Sequence, residues 1–205
     1  MAGGRLYEGS GLRGESTLRE VDPQTGVVDR SIAIDRPYFG EGIAVVDDRI
    51  IQLTWQEHTA FVYQLSDFKR LTTFSYDTEG WGLCDDGMRL VMSDGSNQLY
   101  FRDRSTFALK GKVSVTNNGT PVDQLNELEC VNGQVYANVW QTDTIVRIDP
   151  SNGNVTALID AAGLLGADAG AVDVLNGIAY DPTTKTFLLT GKLWPTMFEV
   201  RFVPR

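Results

Sequence analysis

The 205-residue sequence predicts an all-β fold built from a repeated four-stranded unit, and three observations support this prediction. Four segments share one order: a small polar opening, a short apolar strand, a tight turn and a second apolar strand. Their openings, at Glu41, Glu79, Asn126 and Asn176, lie about 38 to 50 residues apart, the length of a four-stranded propeller blade. Long helical periodicity is nearly absent. The pattern favours a five-bladed β-propeller as a single domain over residues 1–205, with a β-sandwich as the alternative.

Each opening leads into a predicted hairpin whose turn is rich in Asp, Asn and Gly, residues that suit tight turns. The turns lie at 47–48, 85–87, 132–133 and 181–182, and the second strands at 50–55, 89–94, 134–140 and 186–192. A second hairpin completes three of the units. Its strands are 60–65 with 70–76, 98–102 with 109–115, and 144–148 with 155–160.

The two ends of the chain supply three strands each. Residues 5–7, 16–21 and 27–34 are expected to form the last three strands of the first blade, and 176–180, 186–190 and 197–203 the first three of the fifth. The propeller therefore lacks its N-terminal strand pair, which normally closes the ring. We expect that Met1 follows a truncation; the alternative is a ring that closes in another way.

Composition excludes several classes of protein. The net charge is −9, and no basic stripe is present to displace counterions, so a nucleic-acid partner is not expected. No apolar run is long enough to span a membrane, and no signal-peptide core follows Met1. Cys84, Cys130 and His58 are too few and too scattered for a zinc site, so no metal site is predicted. We expect the two cysteines to be free buried thiols, with a disulfide as the alternative.

Strand geometry places the unusual residues at one mouth of the central channel. The first two strands of a blade are antiparallel, so the start of one and the end of the next share an edge. This edge gathers all four tryptophans together with polar side chains, the composition of a small-ligand site. Glu41 stands out because Gly40 and Gly42 flank it and leave room for close approach. Glu79 and Glu127 are expected to tie loops together through backbone N–H groups. The rim residues are Glu8, Ser10, Glu41, Trp55, Glu79, Trp81, Ser93, Asp94, Asn126, Glu127, Trp140, Asn176, Lys192 and Trp194.

Eight motifs in collinear order resemble the plant and bacterial glutaminyl cyclases, over essentially the whole chain. The resemblance implies a five-bladed propeller that converts the N-terminal glutamine of peptides to pyroglutamate, releases ammonia, and is unrelated to the zinc-dependent animal enzymes. The motifs are Leu6-Tyr7-Glu8-Gly9-Ser10-Gly11-Leu12, Tyr38-Phe39-Gly40-Glu41-Gly42, Gln52-Leu53-Thr54-Trp55, Glu79-Gly80-Trp81-Gly82-Leu83, Ser93-Asp94-Gly95-Ser96, Leu125-Asn126-Glu127-Leu128-Glu129, Ala137-Asn138-Val139-Trp140 and Thr190-Gly191-Lys192-Leu193-Trp194-Pro195.

The same resemblance implies roles for individual residues. Glu41 would be the catalytic carboxylate, Asn126 would hydrogen-bond the substrate, and Lys192 would lie at the site. Four rings would wall the substrate pocket: Phe39, Trp55, Trp81 and Trp140. The family's Phe-Thr-Gln-Gly-Leu strand, which also lines the pocket, is absent from this chain. We expect a monomer that acts on peptides or proteins with N-terminal Gln and needs no cofactor. The resemblance suggests an exported protein, periplasmic or secreted, whereas no signal peptide is visible, so the sequence does not specify the compartment.

Two other functions stay open on the sequence alone. Metal-dependent sugar lactonases are also propellers, and Glu41, Asn126 and Asn176 could hold a hard cation through oxygen ligands. A propeller that binds peptides without catalysis is the second alternative. Ammonia release that resists a chelator separates the cyclase from both.

Overall fold

The computed structural model describes residues 1–166 and 171–204, and every regular element within them is a β-strand. Five antiparallel sheets follow one another along the chain, each with its strands in sequence order. The first blade holds β1 (Leu6–Ser10), β2 (Thr17–Val21) and β3 (Val28–Ala33); the second β4 (Gly40–Val46), β5 (Arg49–Thr54), β6 (Thr59–Gln64) and β7 (Arg70–Ser75); the third β8 (Leu83–Asp85), β9 (Leu90–Met92), β10 (Gln98–Arg102) and β11 (Leu109–Ser114). After a short hairpin of β12 (Thr116–Asn117) and β13 (Thr120–Pro121), the fourth blade holds β14 (Leu125–Val131), β15 (Gln134–Val139), β16 (Thr144–Ile148) and β17 (Val155–Asp160), and the fifth β18 (Leu175–Asp181), β19 (Thr186–Gly191) and β20 (Phe198–Val200).

The predicted five-bladed propeller is confirmed, and the sandwich is wrong. Three central blades have four strands each, and the described parts of the first and last blades have three each. Where strand bounds were predicted, they agree to within one or two residues, except at β20, which ends at Val200, and at β1, which runs on to Ser10. The hairpin of β12 and β13 was not predicted. In this described part of the chain no helix has the length and apolar character needed to cross a bilayer.

Four apolar clusters fill the spaces between successive blades. Neighbouring residues of one strand point to opposite faces, so Ile50 packs toward the first blade while Ile51 packs toward the third. Both are fully buried. Burial on both faces explains why the inner strands are almost continuously apolar in sequence. The outer strands β7, β11 and β17 instead expose most or alternate residues.

Aromatic packing joins the second and third blades. Phe107, in the turn between β10 and β11, stacks on Phe74 of β7 with ring centroids 5.6 Å apart and planes 2° from parallel. The ring centroid of Phe107 also lies 5.9 Å from that of Tyr76. Contacts of this kind add about 0.5–1.5 kcal/mol each to the burial of the rings. They fix the angle between the two blades that supply most of the predicted site.

The expectation of two free cysteines is wrong. Cys84 of β8 and Cys130 of β14 form a disulfide, with Cα atoms 5.5 Å apart and a sequence separation of 46. The two strands are the innermost of the third and fourth blades, so residues distant in sequence face each other across the blade boundary. That facing depends on how the blades are arranged around the channel, which residue spacing alone does not specify.

Candidate active site

Breaks in strand pairing mark the rim of the channel. The register between the first two strands shifts at the start of β4, of β14 and of β18. The residues within these three irregularities include Glu41, Asn126 and Asn176. Irregularities of this kind re-aim side chains and are common beside functional sites. In each of these three blades the fold thus turns polar side chains away from the regular sheet pattern.

Glu41 is held where the second blade meets the third. The Gly42 N–H donates to the Trp81 carbonyl at 2.8 Å. A Cβ at position 42 would lie 2.6 Å from that oxygen and 2.7 Å from the Leu83 nitrogen. Only glycine allows such close approach. Burial raises the pKa of Glu41 to about 8; the Lys192 ammonium opposes this rise, while Glu79 and Glu57 add to it.

Lys192 follows β19 in the fifth blade. Its N–H donates to the Val174 carbonyl, and its own carbonyl accepts the Asp173 N–H, both at 2.9 Å. These bonds fix the backbone beside the opening of β18. The Lys192 ammonium lowers the pKa of Glu41, so a charge from the fifth blade acts on a carboxyl of the second blade.

The four predicted wall residues form two edge-to-face pairs. Phe39 and Trp55 have ring centroids 5.8 Å apart, and Trp81 and Trp140 have centroids 5.5 Å apart. The backbone N–H of Trp55 donates to the Phe39 carbonyl at 3.0 Å. The Trp81 ring lies against Gly95, where a Cβ would come within 2.6 Å of it and where φ is +83°. Glycine at 95 is thus required by both the ring and the backbone.

Glu79 connects the two pairs, and the prediction that it binds backbone N–H groups is wrong. One of its oxygens, Oε2, accepts the Trp55 indole N–H at 2.7 Å and the Trp81 indole N–H at 2.9 Å. Oε1 accepts from the Gln56 amide at 3.0 Å. Burial raises the pKa of Glu79, but these donors outweigh it and the pKa is lowered. Glu79 is therefore a carboxylate at neutral pH.

Asn126 is buried, with 4% of its surface exposed. The Ser93 hydroxyl, which accepts the Gly82 N–H, donates to the Asn126 carbonyl at 2.7 Å. Among residues 1–166 and 171–204, the Asn126 Oδ1 finds no hydrogen-bond partner, and neither does the Asn176 Oδ1 or the Asn138 Nδ2. Buried polar atoms are rarely left unpaired. These amides offer unused donors and acceptors to a ligand or to water.

Below the rim, the channel contains a cavity of about 260 Å³. Glu127 and Glu129 line it, together with both cysteines of the disulfide. Burial raises the pKa of Glu127 well above its usual value, and Glu41 and Glu129 add to the rise. Burial likewise raises the pKa of Glu129 to about 7, while the N-terminal ammonium and the Tyr180 N–H, which Glu129 accepts at 3.2 Å, lower it. The sequence analysis placed Glu127 at the rim, with a role in tying loops together through backbone N–H groups, and gave Glu129 no role.

Within the part of the chain that the structure describes, no three His, Cys, Asp or Glu side chains converge as a metal-binding cluster. His58, excluded as a zinc ligand by its spacing, is exposed, and its Nδ1 lies 2.7 Å from the Thr78 carbonyl oxygen. The predicted catalytic and substrate-binding residues are the half-buried carboxyl of Glu41, the Lys192 ammonium, the Asn126 amide and four aromatic rings.

Comparison with known proteins points to one family. The sequence model described as glutamine cyclotransferase matches residues 1–202. The glutaminyl-peptide cyclotransferase of Arabidopsis thaliana is 40% identical over 201 residues, which are 96% of this chain and 63% of that protein. The chain therefore spans less than two thirds of that relative's length. The crystal structure of Myxococcus xanthus glutaminyl cyclase is also 40% identical, with a TM-score of 0.89 over 97% of this chain and 86% of that one. The WD40 propeller domain of Doa1, at 12% identity and TM-score 0.57 over 94% of this chain and 59% of that chain, shares the fold alone.

Proposed function

The chain belongs to the glutamine cyclotransferase family, and on that premise we propose that it is a glutaminyl-peptide cyclotransferase. It would convert the N-terminal glutamine of a peptide or protein to pyroglutamate and release ammonia. The observation that carries the proposal is Glu41: a carboxyl whose pKa burial raises to about 8 and the Lys192 ammonium lowers, next to Gly42, whose N–H donates to the Trp81 carbonyl. A carboxyl tuned toward working pH is suited to proton transfer.

The reaction requires one proton to move between two nitrogens. The free α-amine attacks the carbon of its own side-chain amide, which forms the ring C–N bond and a tetrahedral oxyanion. Glu41, as the carboxylate, takes a proton from the attacking amine and gives it to the leaving nitrogen. The old C–N bond then breaks, the carbonyl re-forms and ammonia departs. Both nitrogens lie within a few ångströms of each other in the curled substrate, so one carboxyl serves both.

Lys192 and Asn126 supply the charge and hydrogen bonds that the oxyanion needs. We assign the Lys192 ammonium and the Asn126 amide as the two donors, each worth about 3 kcal/mol of transition-state stabilisation. The rings of Phe39, Trp55, Trp81 and Trp140 would hold the flexible glutaminyl chain in its reactive form. Orientation of this kind lowers the barrier because entropy is lost on binding rather than during reaction.

The test is Glu41→Gln, which keeps the shape of the side chain and removes its titration. Ammonia release and formation of pyroglutamyl product from a Gln-initiated peptide should fall by about two to four orders of magnitude. Circular dichroism should show an unchanged fold. An N-acetylated Gln peptide, whose amine cannot attack, controls for other amidase activity. Turnover within about threefold of wild type would remove Glu41 from the proton-transfer role.

The same assay distinguishes the other functions. We propose that the reaction proceeds without a metal, so ammonia release should persist in a chelator; chelator-sensitive lactone hydrolysis would instead support a lactonase. Saturable peptide binding without any product would support a binding propeller. We also propose a monomer with no nucleic-acid or membrane partner, in keeping with the net charge of −9. Light scattering measures the mass directly.

A further inference from the structure

One carboxylate oxygen holds two walls of the mouth. The indole N–H groups of Trp55, at the end of β5, and of Trp81, just before β8, both donate to Oε2 of Glu79. An indole nitrogen only donates, so each ring has a single hydrogen bond by which it can be oriented. A charged acceptor makes those bonds stronger than a neutral one would. Both rings are thus fixed to the same atom, although they come from different blades.

The backbone around Glu79 is built to bring the carboxylate there. The Gly80 N–H donates to the Trp55 carbonyl at 2.9 Å. A Cβ on Gly80 would lie 2.7 Å from the Thr54 carbonyl oxygen and would collide with the Tyr76 hydroxyl. Glycine therefore lets this loop lie directly on the end of β5. The Gln56 amide donates to the other oxygen of Glu79 and holds the plane of the carboxylate.

We propose that Glu79 is a positioning residue of the active site, which orients the Trp55 and Trp81 rings and places a fixed negative charge beside Glu41. The inference rests on the cyclotransferase function proposed above and adds a residue to it. Glu79 does not itself touch the reacting atoms. It acts through the orientation of the two rings and through the electrostatic effect of its charge on Glu41.

The electrostatic part follows from the groups that influence Glu41. Burial is the main cause of its raised pKa; Glu79 and Glu57 raise the pKa further, and Lys192 lowers it. Glu41 and Glu127 also interact electrostatically, since Glu41 raises the pKa of Glu127. Neutralising Glu79 should therefore lower the pKa of Glu41. The pH at which the base becomes available should move down with it.

Three variants separate the two actions. Glu79→Ala removes both the acceptor and the charge. Glu79→Gln removes the charge and keeps an oxygen that can accept both indole N–H groups. Asp77→Asn is the matched control, since Asp77 is an exposed acid in the same loop and is not among the charges that shift Glu41. Each is measured by acrylamide quenching of tryptophan fluorescence, which needs no turnover, and by the pH dependence of kcat/KM.

In Glu79→Ala we expect stronger quenching, a red-shifted emission and a fall of about 10- to 100-fold in kcat/KM, because the rings are no longer held. In Glu79→Gln we expect wild-type quenching and an acidic limb of kcat/KM displaced by about 0.5 pH unit to lower pH. Asp77→Asn should change neither.

Wild-type quenching in Glu79→Ala would overturn the proposal, as would an acidic limb in Glu79→Gln that coincides with the wild type. If Glu79→Ala does not fold, the pH of the acidic limb of kcat/KM in Glu79→Gln decides whether the proposal holds. If no variant and no wild-type protein releases ammonia, the proposed function has failed. The quenching comparison then still tests whether Glu79 holds the rings.

Discussion

Carboxyl groups in this protein differ in pKa because their surroundings differ. Burial raises the pKa of Glu41 to about 8. Hydrogen bonds from three side chains lower that of Glu79. In an exposed turn, the hydroxyl of Ser105 and the N–H groups of Ser105 and Thr106 lower that of Asp103. The site therefore holds an acid that can exchange its proton near neutral pH beside one that stays charged, and this difference is the basis of the assigned roles.

Lys192 opposes the effect of burial on Glu41, and this gives a prediction opposite in sign to that for Glu79. Replacing Lys192 with Met removes a positive charge, so the pKa of Glu41 should rise above about 8. The acidic limb of kcat/KM should then move to higher pH, and kcat should fall about 100-fold as one oxyanion donor is lost. Lys112→Met, an exposed lysine on β11, is the control. A limb that moves to lower pH or stays in place would contradict the assigned geometry.

Sequence reasoning located the rim residues but not the bonds between them. Antiparallel pairing of the first two strands in each blade was enough to put Glu41, Trp55 and Trp81 at one mouth. The role of Glu79 could not be predicted, because it depends on the direction of two indole rings in neighbouring blades. The sequence Glu79-Gly80-Trp81 does not show from which N–H groups the carboxylate accepts its hydrogen bonds.

At the scale of elements, hydrophobic alternation and turn residues predicted almost every strand. The hairpin of β12 and β13 was missed although Asn118-Gly119 stands at its turn, a signal typical of two-residue hairpins. Its strands have only two residues each and bury little apolar surface, so they lack the pattern by which strands are found. The disulfide was missed for a different reason, since it joins two blades rather than two strands of one sheet.

The disulfide should contribute to stability by restricting the unfolded chain. Closing a loop across 46 residues stabilises a fold by about 2–4 kcal/mol. The double variant Cys84→Ser, Cys130→Ser should lose that amount in urea unfolding under oxidising conditions. Under reducing conditions wild type and variant should unfold at similar urea concentrations. Equal midpoints without reductant would show that the crosslink adds no stability.

At the scale of the whole molecule, the blades meet around a channel lined in part by carboxyl side chains. Four clusters of apolar side chains hold neighbouring blades together. The inner strands that complete this packing also carry Glu127 and Glu129 toward the channel, where burial raises the pKa of both. A group whose pKa is raised by folding binds its proton more tightly in the folded state. Such acids favour the fold at low pH and weaken it as the pH rises.

This gives a prediction for stability against pH. Burial raises the pKa of Glu129 above its ordinary value of 4.5, so ionising this carboxyl destabilises the fold at pH 8 and costs almost nothing at pH 4. Glu129→Gln keeps an oxygen for the Tyr180 N–H and cannot ionise. It should therefore raise the free energy of unfolding at pH 8, by about 1 kcal/mol or more, and leave it nearly unchanged at pH 4, with the gain growing as the pH rises above 4.5. Urea unfolding across this range measures the difference, and Glu15→Gln, the same change at an exposed acid, should give a flat profile. A variant no more stable than wild type at pH 8 would mean that channel water solvates Glu129 as well as bulk water does.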